Sequence, residues 1–512
     1  MEVPHADAAL LVLLASILLL MARRRFGLGN AAARAREEAL NKLPSPGWRL
    51  PVIGHLHQVG PLPHVSLRHL AAEHGRDGLM LVRLGAVPTL VVSTPAAAQA
   101  VLRTHDHVFA SRPHSPVAHI LFYGSADVVF APYGHHWRQV KKISTTHLLT
   151  ARKVHSYRHA RQHEVNLVLA KVRDAMRAGV ALDMSELLNA FVFDIVCHAV
   201  AGNSFRERGL NKHFRELVEA NASLIGGFNL EDHFPALVKL EIFRKIVCAK
   251  ARRVNNKWDD LLDRLIDEHA TPPALDEDRD FIHVLLSVQQ EYNLTRDHIK
   301  AQLLIMFEAG TDTSTIVLEY AMVRLMQNPR VMAMLQAEVR STIPKGKDTV
   351  TQDDLHGLPY LKAVIKETLR LHMPGPLMVP HLSMDECTIN GYTIPSGTRT
   401  FINTYAIQRD PSNWESPEEF MPERFMEGGS AAAMDYKGND FQYFPFGSGR
   451  RICPGINFAT ATIQLMLTNL MYHFDWKLPP ESEEEGINMT ETFGLTVHRK
   501  EKLLLVPLVP QN

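Results

Sequence analysis

Cysteine is scarce in this 512-residue chain: the four present, Cys197, Cys248, Cys387 and Cys453, form no C-x-x-C pair and no regular spacing. That excludes a disulfide framework and a closed zinc site, and free thiols suit a reducing compartment. A surplus of either charge is also missing, with 55 Lys plus Arg against 55 Asp plus Glu, so the chain lacks the basic excess of a protein that coats nucleic acid. No internal repeat is visible. With 46% of residues hydrophobic and 21% charged, the chain can bury a large core.

The long apolar run at the N-terminus, Ala8 to Ala22, has no charge and is followed at once by Arg23, Arg24 and Arg25. It is shorter than the ~20 residues of a comfortable span, so its flanks decide its role. Glu2 and Asp7 precede it and the arginines follow, the reverse of a cleaved signal peptide. The pattern predicts a retained signal anchor over 1–25, spanning at about 8–22, with the rest of the chain cytosolic. The sequons at Asn221, Asn293 and Asn488 then never meet a glycosyltransferase. Residues 26–54 read as a linker ending in a stiff hinge at Pro44, Pro46, Gly47 and Pro51, and 55–512 as one catalytic domain.

Within that domain, hairpin signals lie at Leu79–Ser93 and Cys387–Ile394. Helical periodicity runs over Val154–Met176, Val254–His269, Thr295–Gln327, Tyr360–His372 and Gly455–His473, so the fold is mainly α with small β-sheets. The Thr295–Gln327 helix would span about 50 Å. Its centre, Phe307 to Ser314, holds Gly310 and several Thr residues where Leu or Ala would serve better, which predicts a local distortion able to admit water or a ligand. The simpler reading is a glycine for close helix packing, with hydroxyls bonded back to the preceding turn.

Phe446-Gly447-Ser448-Gly449-Arg450-Arg451-Ile452-Cys453-Pro454-Gly455 precedes the last long helix. The glycines allow a sharp turn, and a cysteine at a helix N-terminus is placed to become a thiolate, hence a metal ligand or nucleophile. The order F-x-x-G-x-R-x-C-x-G resembles the haem-binding loop of cytochromes P450. Glu367-Thr368-Leu369-Arg370, Pro422-Glu423-Arg424-Phe425 and the mid-helix Ala309 to Ser314 resemble further segments of that family in the same order. The resemblance implies the P450 fold, haem b held by Cys453 as the iron ligand, and cofactor-binding roles for Phe446, Gly449 and Gly455. It also implies a buried network of Glu367, Arg370 and Arg424, and Asp312 with Thr313 relaying protons to dioxygen.

The family holds haem propionates from a W-x-x-x-R helix, from an Arg after the E-x-x-R segment and from the Arg two before the cysteine. Trp137 with Lys141, His381 and Arg451 occupy those positions, so two of the three depart from the pattern. The chain carries no flavin or nicotinamide fingerprint. The resemblance therefore implies electrons from NADPH through a separate flavoprotein, NADPH–cytochrome P450 reductase, with cytochrome b5 as an optional second donor. Arg138, Lys141, Lys142, Arg450 and Arg451 are candidates to steer that acidic partner.

The anchor, the hinge and FGSGRRICPG resemble plant microsomal P450s, which implies the endoplasmic reticulum membrane. VIGHLHQVGPLPHVSLRHLAAEHG, VLRTHDHVFASRP and CAKARRV resemble the grass monooxygenases that oxidise indole and its lactam products towards benzoxazinones. A small lipophilic substrate is implied, in a pocket lined by Ser115 to Tyr123, Met306 to Thr311, Met378, Val379, Phe493 and Gly494. Hydroxylation of terpenoids or xenobiotics, or a reductase-independent rearrangement, stand as alternatives.

Three other patterns are decoys. Asp259 to Asp263 spells DDxxD without the second metal motif of a terpene cyclase, and reads as a solvated helix face beside Lys257 and Arg264. Gly27 to Ala32 fits G-x-G-x-x-A but follows an apolar run, not a strand, and His163-Glu164 lacks the second His of a zincin.

Overall fold

The computed structural model describes residues 31–510 apart from 207–208, 210, 228, 237–238, 240 and 272–278; the anchor expected at 8–22 lies outside them. The helices that position the site are α1 (Ala31–Asn41), α2 (Pro116–Leu121), α3 (His135–Ile143), α4 (Arg158–Ala178), α5 (Met184–Ala201), α6 (Asn211–Gly226), α7 (Ala249–Glu268), α8 (Phe281–Ser287), α9 (Arg296–Gln327), α10 (Pro359–Leu371) and α11 (Ile456–His473).

Strands β1 (Leu79–Leu84) and β2 (Val87–Val92) form the expected hairpin. They extend through parallel pairing of β2 to β7 (Arg399–Ile402), which also holds β4 (His381–Leu382). The second expected hairpin is β5 (Cys387–Ile389) with β6 (Tyr392–Ile394). Strand β11 (Leu504–Leu508) joins β3 (Leu182–Asp183) to β8 (Asp475–Lys477), and β9 (Glu491–Phe493) pairs with β10 (Val497–Arg499).

Helix α9, 32 residues and about 48 Å long, crosses the domain. Thr295 caps its start, accepting from the His298 amide, while the His298 ring accepts from the Thr295 amide. Its main partner is α5, an apolar helix that by length and composition could cross a membrane but is mostly buried in the core. At their crossing, a Cβ on Gly310 would lie 3.0 Å from Val196 Cγ2, so the glycine permits the close approach.

The expected distortion is not found: α9 is α-helical throughout, and the Thr311, Thr313 and Thr315 hydroxyls donate to the Phe307, Ala309 and Thr311 carbonyls. Packing against α5 and these back-bonds outweigh the weak local propensity. The stretch expected as one helix from Val154 is two, Ala151–Ser156 and α4, because the buried Arg161 guanidinium takes the Val154 carbonyl at 2.8 Å.

The linker reading over 26–54 also needs correction in its described part. Residues 31–41 form α1, whose Leu40 is fully buried with Leu79 and Leu90. Arg36 donates to the Ser396 and Gly397 carbonyls, and Glu37 pairs with Arg83 at 2.6 Å. Leu81 N–H donates to the Pro44 carbonyl, so the Pro-rich segment is fastened to the domain and does not act as a free hinge.

Candidate active site

The loop from Phe446 to Gly455 is held by close backbone contacts. Gly449 has φ +67°, and a Cβ there would fall 2.1 Å from the Leu102 carbonyl oxygen, so no larger residue fits. The Cys453 amide donates to the Phe446 carbonyl at 2.9 Å, and the Gly455 amide donates to Cys453 Sγ at 3.3 Å. Burial pushes the Cys453 thiol up despite the opposing Gly455 N–H and Lys141, so the helix end alone does not make it a thiolate. A coordinated metal deprotonates such a sulfur outright.

Around this sulfur the fold gathers cations. Trp137 and Lys141, one turn apart on α3, donate to the Val128 carbonyl at 3.0 Å and the Ile452 carbonyl at 2.5 Å. Arg451 donates to the carbonyls of Ala110, Val128, Val129 and Ala131 and lies 4.2 Å over the Trp137 ring. Burial lowers Lys141 to about 8 and Arg451 to about 9.

Arg112, which sequence reasoning left out of the site, joins them. It is buried, donates from Nε to Val129 and from Nη1 to the Val379 and Pro380 carbonyls, and its Nη2 has no protein partner among the described residues. The conspicuous carboxylate here is Asp127, with Oδ1 accepting from the Val129 and Phe130 amides and Oδ2 buried without a partner. Three half-buried or buried cations against one acid suit a group carrying carboxylates, and a buried thiol beside them suits its metal. His381 is buried and neutral, its pKa pulled well down by burial and by Arg112. With Nδ1–H donating to Phe109 O at 2.8 Å, its Nε2 is an acceptor, so an acidic group would be met by Arg112 and not by His381.

The Glu367, Arg370 and Arg424 side chains come together, essentially without solvent exposure. Arg370 donates from Nε and Nη2 to the two Glu367 oxygens at 2.7 and 2.8 Å. It also reaches the Gln408, Pro417 and Glu419 carbonyls. Arg424 donates to Glu367 Oε1 at 3.3 Å and to the Glu415 and Ser416 carbonyls.

On α9, Ala309, Gly310, Asp312 and Thr313 keep some accessibility along an otherwise buried stretch. Asp312 accepts from the Thr496 hydroxyl, and its Oδ1 lies 3.4 Å from Nε2 of the partly exposed His498. Burial lowers His498, but the Asp312 hydrogen bond and charge, with Glu319 and Glu219 beyond, raise it overall. A cavity of about 330 Å³ opens beside this group. Thr311, Phe493 and Gly494 line it as expected, and Val218 and Ala222 of α6 line it without having been foreseen. The Asp259 to Asp263 decoy is neutralised by Lys300, at 2.6 Å from Asp259 and 2.7 Å from Asp263. Of the basic residues considered for partner steering, Arg138, Lys142 and Arg450 are exposed or half-exposed, while Lys141 and Arg451 are turned inward.

A thiol loop fastened at a helix start, a buried acid–guanidinium network and a long helix across the domain define a haem-thiolate enzyme. The sequence profile of the family described as Cytochrome P450 matches residues 44–506, and the chain belongs to that family. It is 56% identical to the indole-2-monooxygenase of Zea mays, over 94% of this chain and 90% of that enzyme. It is 52% identical to the 3-hydroxyindolin-2-one monooxygenase of Zea mays, over 97% and 94%. The fold matches a zebrafish cytochrome P450 solved with abiraterone, with a TM-score of 0.73 at 23% identity, covering 88% of this chain and 100% of that one. The protein is a P450 monooxygenase with haem as cofactor, supplied with electrons by a separate reductase.

Proposed function

We propose that this monooxygenase inserts one oxygen atom into a small, flat nitrogen heterocycle of the indole or indolin-2-one type. Similarity along almost the whole chain to Zea mays enzymes named for indole and 3-hydroxyindolin-2-one carries this reading. The cavity supports it, because about 330 Å³ is at the small end of ligand pockets.

When bound, haem activates dioxygen, and thiolate donation to its iron favours O–O cleavage. Cys453 is the iron ligand, while Phe446, Gly449 and Gly455 shape the loop that presents it. Arg112, Lys141 and Arg451 hold the cofactor's acidic groups, packed by Trp137 and His381, and Glu367, Arg370 and Arg424 keep the surrounding backbone rigid. Asp312 exchanges protons with solvent through Thr496 and the partly exposed His498, and the Thr313 hydroxyl passes them on. The presence of Asp312 and Thr313 favours a dioxygen-using enzyme over a rearrangement enzyme, which needs no such relay.

Arg138, Lys142 and Arg450 form the docking face for the NADPH-dependent reductase, with cytochrome b5 as an alternative donor. Residues 8–22 anchor the chain once in the endoplasmic reticulum membrane with the catalytic domain in the cytosol, as the flanking arginines favour. Reductase-supplemented microsomes incubated with indole, indolin-2-one, terpenes and herbicides test the substrate reading. Hydroxylation of the first two is expected; turnover of terpenes or herbicides alone overturns it.

A further inference from the structure

Two residues facing each other across helices α6 and α9 are costly to the fold as it stands. Glu308 is 3% exposed and Asn221 is fully buried, and neither oxygen of Glu308 nor either polar atom of the Asn221 amide makes a hydrogen bond of good geometry among the described residues. Leaving such groups unpaired costs about 1–3 kcal/mol each, and folded proteins keep few of them. Their position links them to the cavity. Val218 and Ala222, which flank Asn221 on α6, line it from one side, and Thr311 and Asp312, which follow Glu308 on α9, line it from the other.

Burial holds the Glu308 carboxyl well above the usual carboxylate range, and the charges of Asp312 and Asp127 push the same way against the Asn221 amide. A protonated carboxyl presents an O–H donor beside a C=O acceptor, and an Asn side chain presents N–H donors beside a C=O. Both match a ligand that carries an N–H next to a carbonyl.

We propose that Glu308 and Asn221 are the polar end of the substrate pocket and recognise a lactam, or an equivalent cis-amide, by a two-way hydrogen bond. The inference rests on the indole-type reading above and narrows it: of the bicyclic compounds considered, those with the N–H and carbonyl side by side are preferred. An indole, which offers the N–H alone, satisfies half of the site. Removing a hydrogen-bonding edge from a ligand whose site is built for it leaves buried groups unpaired, which separates analogues strongly.

The test uses the full-chain holoenzyme in detergent or nanodiscs and follows the haem absorption shift on titration with indolin-2-one, N-methyl-indolin-2-one and indole. The wild type is expected to bind indolin-2-one at least ~10-fold more tightly than its N-methyl form. In Glu308→Leu the preference should shrink to about threefold or less, whereas Glu308→Gln, which keeps a donor and an acceptor, should retain most of it. Asn221→Leu provides a second removal. Thermal unfolding of both Leu variants should match or exceed the wild type, because an unpaired buried polar group has been removed. A lactam preference that survives in Glu308→Leu and Asn221→Leu refutes this inference alone. A wild-type enzyme that shifts with none of the three compounds refutes the substrate reading and this inference together.

Discussion

The two arginines that grip Glu367 should differ sharply when each is replaced by lysine. Arg370 serves five acceptors: both Glu367 oxygens and the carbonyls of Gln408, Pro417 and Glu419. A lysine ammonium has three donors, so Arg370→Lys leaves at least two buried acceptors unpaired and also removes the guanidinium that lies 5.0 Å over the Trp414 ring. At about 1–3 kcal/mol per unpaired group the loss is about 2–6 kcal/mol, a large part of the 5–15 kcal/mol that a typical folded domain has. Arg424 meets three oxygens, on Glu367, Glu415 and Ser416, which three ammonium donors can in principle serve. Arg424→Lys should therefore cost about 1 kcal/mol. Urea unfolding of the two variants, compared at equal slope, measures the difference directly. Equal losses, or a larger loss for Arg424→Lys, would refute the donor-counting argument.

Replacing Cys453 by Ala should abolish turnover and the red-shifted Soret band of the reduced carbon-monoxide complex; a retained band would mean another residue binds the iron. Thr313→Ala should keep that band but divert reducing equivalents to hydrogen peroxide, read as product formed per NADPH consumed, and unchanged coupling counts against the proton relay. The buried His269 has Nδ1 at 2.6 Å from the Leu265 carbonyl and Nε2 at 3.0 Å from the Asp280 carboxylate, so both nitrogens face acceptors and the ring is an imidazolium. Burial lowers its pKa, but the Asp280 hydrogen bond and charge, with two backbone carbonyls, hold it above 6.5. Its contribution is thus complete below about pH 6.5 and fades as pH rises through the raised value. His269→Gln should cost about 2 kcal/mol at pH 6 and clearly less at pH 9, and a loss independent of pH would contradict the assignment.

Features carried by local spacing were legible before any coordinates. The Thr295 cap and Pro329 bracket α9 almost to the residue, and the turns at Gly85 and at Asn390-Gly391 mark two hairpins. Glu367 and Arg370 meet as an i, i+3 pair must. The weak helix formers around Gly310 misled, because propensity says nothing about the neighbouring helix that makes a glycine the best fit there. Contacts between distant segments were hidden for the same reason. Arg112 stands in a stretch with no helical or strand period, its partners at Val379 and Pro380 lie far along the chain, and Asp312 meets Thr496 only after the C-terminal hairpin folds back.

The docking of α1 bears on how a membrane-free version of this enzyme should be made. Trimming at the Pro-rich turn would look safe from composition, yet it would strip away Leu40 and the ties from Arg36 and Glu37, leaving an apolar hole over Leu79 and Leu90. A cut ahead of Ala31 keeps that lid in place, so the shorter product should be the less soluble of the two.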